Sequence, residues 1–244
     1  MARHPSIIAS GSQPRPTNRL LAALPPEDFS RLAADMTTIQ IRRQQVLQKQ
    51  GEPPGYVYFL NGGVCSITTV MSDGTMVEAV SVGEEGMVGL EASALRGAMA
   101  PGEAIMHVSD TSAERLDVDA YRRELANHSA LAVLMNEYTL ALIAEIMQLA
   151  ACNIVHGVEE RCCRWLLMTH DRMHHGDFQL SHELLAMMLG VRRQTITVAA
   201  RTLQSAGLIA YTRGHVRILD RKGLEGASCE CYAIVRGHTD RLRV

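Results

Sequence analysis

The sequence has almost no net charge: 24 Lys and Arg stand against 26 Asp and Glu, a formal balance of −2. Taken alone, that balance argues against a nucleic-acid partner, because phosphate binding depends on cations that neutralise the backbone and release its counterions. No uncharged apolar stretch is long enough for a bilayer either. The longest, Leu131 to Val155, is interrupted by Glu137 and Glu145, whereas a span needs about 20 predominantly apolar residues. Met1 to Arg19 has no apolar core and contains Pro5, Pro14 and Pro16, so no secretory signal is expected and residues 1–17 read as a disordered tail. Gly-rich phosphate loops, a nucleophile elbow and metal-spaced His/Glu sets are all missing, and the chain is read as not an enzyme. Apolar residues, by contrast, are plentiful. They make up 47% of 244 residues, enough for one large domain or two small ones, which excludes disordered, collagenous and mini-protein classes. Six cysteines (Cys65, Cys152, Cys162, Cys163, Cys229, Cys231) without a leader point to a reducing compartment, so the expected location is cytoplasmic with no membrane partner.

The neutrality is a sum of opposites. Residues 1–156 carry 11 cations and 17 anions, net −6, whereas residues 157–244 carry 13 and 9, net +4. Within the second part, Gly190 to Lys222 holds seven cations and a single anion, Asp220. Charge asymmetry of this kind restores nucleic acid as a candidate partner.

Texture divides the chain in the same way. Asn18 to Leu24 and Pro26 to Ala34 form two short helical patterns. From Thr38 to about Leu116, runs rich in Val, Ile and Thr (Tyr56–Leu60, Val64–Met71, Met76–Val82, Ala104–Val108) alternate with Asn61-Gly62-Gly63, Ser72-Asp73-Gly74 and Gly83–Gly86. Such separators are hairpin signals, and the segment is expected to be an antiparallel sandwich or barrel. Leu131, Leu134, Tyr138, Leu142, Glu145, Leu149, Cys152 and His156 then advance in steps of three and four, which predicts one helix over 128–156. Its 29 residues would reach roughly 43 Å. With Ala132, Val133, Met135, Ile143, Ile146 and Met147 also apolar, it should pack on the β domain and on a second copy of itself. A buried helix in a monomer is the alternative.

The residues from Gln179 to Ile209 have helix-turn-helix spacing. Ser181 is a good N-cap for a helix with Leu184, Leu185 and Met188 inward; Gly190 permits a sharp turn; a second helix begins near Arg192 or Arg193. Ile196, Ala199, Ala200 and Leu203 share its core face, while Arg192, Arg193, Gln194, Thr197 and Val198 lie opposite. Arg can bind guanine, Gln can bind adenine, and Val can meet a thymine methyl in the major groove. Leu208 to Leu219, with Arg213-Gly214 at its centre, reads as a hairpin wing that brings Arg213, His215 and Arg217 to phosphate.

The order of these segments, with Gly83-Glu-Glu-Gly-Met-Val-Gly89, Val158-Glu-Glu-Arg-Cys-Cys-Arg-Trp-Leu-Leu-Met168 and Leu189-Gly-Val-Arg-Arg-Gln-Thr-Ile-Thr197, resembles the Crp/Fnr family of bacterial transcription regulators over about Asn18 to Tyr232. The resemblance implies an α+β chain: a cyclic-nucleotide-binding-type β-roll (18–127), a dimerisation helix (128–156; Leu131, Leu134, Tyr138, Leu142, Leu149) and a winged helix-turn-helix domain (157–244). It further implies a homodimer that reads a two-fold operator in double-stranded DNA, and RNA polymerase as a partner. Carried over, the leading base-reading arginine falls on Arg193. Gln194 replaces the acidic residue that usually follows, and Val198 replaces an arginine one turn later, so the usual operator sequence is not expected. Arg192, Thr195, Arg201 and Arg213 match phosphate-contacting positions, as Ser181 and His182 match the backbone-touching end of the first helix.

The family's cyclic-AMP cassette is altered. Gly89-Leu90-Glu91 stands where Gly-Glu is expected, and Gly102-Glu103-Ala104 where Arg-Ser-Ala is expected. An acid at Glu103 repels phosphate, so the effector is expected to be another small molecule or a redox signal, with Met87, Gly89, Glu91, Glu103 and Met106 as candidate pocket residues. With no cysteine before Cys65, an iron–sulfur cluster of the Fnr type is not expected. His107 is read as structural rather than as a haem ligand, and His174-His175 as a solvated turn. Cys162-Cys163 read as buried hydrophobes. For Cys229-Glu-Cys231 a structural role is favoured, with a redox pair or soft-metal site left open and no metal site assigned. The alternative function is an effector-binding module that acts through protein contacts with a degenerate helix-turn-helix.

Overall fold

A computed structural model describes residues 16–93, 97–127, 130–173 and 176–241. The expected tail, apart from its last two residues, and the His174-His175 turn lie outside the described residues. Asn18 anchors the start of the chain: its side chain accepts from the Leu21 N–H to cap α1 (Arg19–Ala22) and donates to the carbonyls of Leu60 and Gly86, both at 2.8 Å. α2 (Pro26–Ala33) opens with proline and carries Glu27 and Asp28 in its first turn, where the helix dipole favours anions.

Among the described residues, eight antiparallel strands follow: β1 (Thr37–Ile41), β2 (Val46–Gln48), β3 (Tyr56–Leu60), β4 (Val64–Val70), β5 (Met76–Val82), β6 (Met87–Val88), β7 (Glu103–Val108) and β8 (Thr111–Asp117). They form two four-stranded sheets, ordered β1-β8-β3-β6 and β2-β7-β4-β5. Ile41, Leu60 and Val88 from the first sheet meet Cys65, Val82 and Met106 from the second in a shared core. The four expected strand runs are β3, β4, β5 and β7. A bulge at Ala79, where Ile67 pairs with Val80 but Thr68 with Glu78, resets the alternation of β5.

The helical half comprises α3 (Val118–Ala126), α4 (Ala130–Val155), α5 (Val158–Asp171), β9 (Asp177–Gln179), α6 (His182–Leu189), α7 (Arg193–Ser205), β10 (Ile209–Thr212), β11 (His215–Ile218), α8 (Arg221–Ala227) and α9 (Cys231–Arg241). Strands β10, β11 and β9 make a small sheet in the order β10-β11-β9. This is the expected α+β architecture, with a third wing strand and two C-terminal helices added.

The long helix corrects one expectation. Leu131, Leu134 and Tyr138 are buried among Leu20, Phe59, Met87 and Tyr121 of their own chain, and Leu149 is buried against the C-terminal half. Leu142 is partly buried and touches both cores. The stripe expected to hold a second copy therefore packs inward. A helix with apolar residues on every side offers several stripes, and this one is claimed by the sheets. The apolar side chains left exposed are Val133, Leu140, Ile143, Ile146, Met147, Ile154 and Val155. By length and composition α4 could cross a bilayer, yet its inward face holds Glu145 beside Arg172 at 4.0 Å and sets Tyr138 Oη to accept from the Met87 N–H at 3.2 Å. That last contact requires Gly86, where a Cβ would sit 2.3 Å from Tyr138 Oη.

Two polar ties and one apolar patch dock the C-terminal half on the β-roll. Trp165 Nε1 donates to Glu78 Oε1 at 2.9 Å. Arg172 donates from Nε to Glu85 Oε1 at 2.7 Å, from Nη1 to Ser81 Oγ at 3.0 Å and from Nη2 to the Ser81 carbonyl at 3.0 Å. Val64, Val80 and Val108 of the sheets share a core with Trp165, Leu185 and Leu189. An ion pair this deep is held by its added hydrogen bonds, since desolvation otherwise offsets the Coulomb attraction.

Candidate nucleic-acid interface and sensor cavity

Ser181 caps α6 with extended backbone, its Oγ accepting from the Leu184 N–H at 3.0 Å. Gly190 ends the helix in the left-handed region (φ 62°, ψ 38°), a conformation that costs glycine nothing and turns the chain into α7. Ile196, Ala199, Ala200 and Leu203 are buried, so the expected core face of α7 is the one observed. Arg192, Arg193, Gln194, Thr195, Val198 and Arg201 are all exposed.

Arg193 Nε pairs with Glu183 Oε1 on α6 at 2.7 Å, with both side chains more than half exposed. Thr197 departs from its expected place. It is partly buried, its hydroxyl donates to the Arg193 carbonyl at 3.1 Å and lies 3.1 Å from His182 Nδ1, so it joins the two helices rather than facing outward. His182 also stacks on Tyr211, ring centroids 4.5 Å apart, and burial with the neighbouring Arg193 cation holds its imidazole below the ordinary value. In the wing, Arg213 (φ 50°) and Gly214 (φ 80°) make the two-residue turn, which suits the right-handed twist of the flanking strands. His215 and Arg217 stand exposed beside it, Arg217 pairing with Asp177 at 3.4 Å.

The family model described as the Crp-like helix-turn-helix domain matches residues 160–227. That segment is a Crp-like helix-turn-helix domain. Solved structures extend the likeness to the whole fold. A protein from Eubacterium rectale described as a Crp/Fnr-family transcriptional regulator aligns with a TM-score of 0.66 at 21% identity, over 86% of this chain and 98% of its own. The c-di-GMP-responsive global regulator CLP of Xanthomonas campestris gives 0.64 at 15% identity, over 80% and 99%. FixK2 of Bradyrhizobium japonicum gives 0.60 at 19%, over 80% and 98%. No curated protein is significantly similar in sequence. At these identities the structures establish a shared fold.

In that fold, a cavity of about 460 Å³ lies between the β-roll and α4. Ile67, Val80, Val82, Met87, Val88 and Gly89 line its β side, Leu142 and Ile146 its α4 side. Of the expected pocket residues, Met87, Gly89 and Glu91 line it. Glu103 does not, because Gly102 takes the lining position and alternation turns the next residue away; Met106 does not, because it is fully buried between the sheets. Gln48, Asn136 and Thr139 join the wall unannounced by any motif. Two buried acceptors, Gln48 Oε1 and Glu91 Oε1, have no hydrogen-bond partner, and burial pushes the Glu91 carboxyl above its usual range. No Lys or Arg among the described residues lines the cavity.

His107 is buried with Nε2 unpartnered, and burial pulls it down to about 4, leaving the imidazole neutral at ordinary pH. Cys162 and Cys163 are buried among apolar neighbours. The Cys229 and Cys231 thiols come together with Cys152 and His156.

Proposed function

We propose that the chain is a sequence-specific DNA-binding transcription regulator. The observation that carries this reading is the exposed first half of α7, where Arg193, Gln194 and Val198 stand free of the core on a segment with six excess positive charges. Arg193 reads guanine, Gln194 reads adenine, and Val198 meets a thymine methyl, while Arg192, Thr195, Arg201, Arg213, His215 and Arg217 contact phosphate, with Ser181 and His182 at the backbone.

The active form is a homodimer joined along α4. Val133, Leu140, Met147 and Ile154 recur every seven residues on its exposed side, with Ile143 between them, the repeat of a two-helix seam. The dimer places two copies of α7 about one turn of DNA apart. RNA polymerase is the partner proposed with this reading, and the cytoplasm is the compartment.

The cavity binds a small, largely apolar effector that donates hydrogen bonds to Glu91 and Gln48, because two buried acceptors and no cation among the described lining residues suit a donor better than a phosphate. Ala79, Val80 and Val82 of β5 line the cavity, while Ser81 and Glu78 of the same strand hold Arg172 and Trp165. An effector that shifts β5 therefore shifts α5 and the reader behind it.

Fluorescence anisotropy with the promoter DNA of its own operon, over a series of salt concentrations, tests the reading. The expected result is a dimer that prefers promoter to random DNA, with log Kd rising linearly with log salt concentration. Negligible affinity for any DNA at low salt would overturn it in favour of a module acting through protein contacts.

A further inference from the structure

Outside the reader and the cavity, one cluster has the composition and spacing of a binding site. Cys152 and His156 are four residues apart at the end of α4, so both present to the same side, and the His156 N–H donates to the Cys152 carbonyl at 3.1 Å to carry the helical turn through. Cys229 and Cys231 lead into α9, which packs along α4. The four ligand atoms, three Sγ and one imidazole nitrogen, all lie within 4.8 Å of one another. Cys152 Sγ and Cys229 Sγ are 3.5 Å apart, and Cys231 Sγ is 3.6 Å from His156 Nδ1.

Those distances match the edges of a coordination tetrahedron. With Zn–S near 2.3 Å and Zn–N near 2.05 Å, tetrahedral angles give edges of about 3.8 Å between sulfurs and about 3.6 Å from sulfur to nitrogen. Donors so closely spaced leave room for a single ion and not for a cluster of several irons. We propose that Cys152, His156, Cys229 and Cys231 bind one Zn2+-class ion in a tetrahedral Cys3His site that fastens α9 to the end of α4.

The surroundings fit that assignment. His156 Nε2 faces Glu230 Oε2 at 3.1 Å, the carboxylate that fixes the tautomer leaving Nδ1 free to ligate. Gln148 Nε2 donates to Cys231 Sγ at 3.1 Å, a contact that favours thiolate over thiol. Three thiols release three protons to solvent on binding, and with neutral His the site carries one net negative charge. Arg161, whose buried Nε has no partner, lies within electrostatic reach of Cys152 and Cys229 and balances that charge. Cys152, Cys229 and Cys231 are nearly or wholly inaccessible, which marks a closed structural site.

The site also has a place in the architecture. The Crp-like domain spans 160–227, and its ligands bracket that span, two before and two after. A bound ion closes a loop of 77 residues and ties the reader to the α4 helix at both ends. Loss of the ion frees α9 and loosens that tie. The inference stands without the DNA-binding reading, because its readouts are metal content and spectroscopy.

The test uses the untagged full chain, purified under reducing conditions. Native mass spectrometry and elemental analysis should find about one zinc per chain. Metal-free protein titrated with Co2+ alone should develop the visible ligand-field bands of tetrahedral cobalt together with thiolate-to-metal charge transfer. Cys229→His should keep tetrahedral binding with weaker charge transfer, Cys65→Ala should change nothing, and Glu230→Gln should weaken Zn2+ affinity about ten- to a hundredfold. His156→Gln, at the most accessible ligand, provides a second variant should Cys229→His fail to fold. The inference is overturned if folded, reduced protein takes up neither Zn2+ nor Co2+. Wild-type metal affinity after combined Cys152→Ser, His156→Gln, Cys229→Ser and Cys231→Ser, or a Cys152–Cys229 disulfide in protein kept reduced, would equally exclude it.

Discussion

The proposed reader and the proposed sensor solve opposite problems with opposite materials. In the Crp-like domain the side chains proposed to act are mostly exposed, many of them cationic, and lie in one continuous stretch from Ser181 to Arg217. Around the cavity they are mostly apolar, with Glu91 and a few neutral polar groups, and come from segments as distant as Gln48 and Ile146. A surface that meets a phosphate backbone can be built on two helices and a hairpin, because its ligand supplies the shape. A cavity that distinguishes small molecules needs walls on every side, and only the folded sheets and α4 together provide them. Specificity in the first is a matter of which side chains protrude; in the second, of which polar atoms lack a partner.

The largest expected effect comes from separating the two copies of the reader. Leu140→Glu combined with Met147→Glu should give a monomer in sedimentation equilibrium and lower operator affinity by at least about a hundredfold, since the second reader no longer binds at high effective concentration. Unchanged dimerisation would place the interface elsewhere. Leu142→Glu separates seam from cavity: Leu142 faces the cavity and the inner cores, so this variant should alter folding or effector response before it alters the seam.

Arg193→Ala should cost about 1–3 kcal/mol of operator binding, or about 5- to 150-fold in Kd, and relax the preference at one base pair. Equal loss on random DNA would make Arg193 a phosphate contact and blur the division between base reading and positioning.

Glu145 tests the buried boundary between the two regions. Burial pushes its carboxyl up to about 7 from 4.5, with Arg172 opposing the shift. The folded state therefore holds this proton over a window in which the unfolded chain has released it, and stability falls as pH rises from about 4.5 to 7. Glu145→Gln should stabilise the protein by about 1–3 kcal/mol at pH 8 and leave it nearly unchanged at pH 4, as thermal unfolding would record. A gain independent of pH would mean that Glu145 is ionised throughout.

The smallest effect belongs to the wing. Arg213→Ala should weaken all DNA sequences alike and lower the salt slope by about 1. A sequence-dependent loss would move Arg213 from the phosphates to the base edges.

How much was legible follows the same divide. Helix-turn-helix chemistry is local, so the Ser181 cap, the Gly190 turn and the buried face Ile196, Ala199, Ala200 and Leu203 could be read residue by residue. β9 was missed because three residues carry no periodicity, and β8 because Thr-Ser-Ala-Glu-Arg-Leu-Asp shows sheet character only at buried Ala113 and Leu116. On α4, steps of three and four pick out Leu131 to Leu149 well, yet they cannot say which of two apolar stripes meets its own sheets. The interval of seven from Val133 to Ile154 was available as a signal for the other stripe. Glu103 and Met106 were placed in the cavity by proximity in sequence, although strand alternation and core packing turn them away. Cys152 and His156 meet Cys229 and Cys231 only in space, which no local pattern could announce.

The seam proposed along α4 would also tie regulation to abundance. Val133, Leu140, Met147 and Ile154 face water in a lone chain, so their burial depends on the concentration of a second copy. Assembly that stabilises only the paired form adds free energy that grows with the logarithm of partner concentration. A scarce regulator of this design is mostly single, less stable and exposed to proteolysis, whereas an abundant one is paired and long-lived. In the proposed dimer its own rate of synthesis would thereby become a second input beside whatever fills the cavity, and the response to the effector would sharpen or fade with copy number.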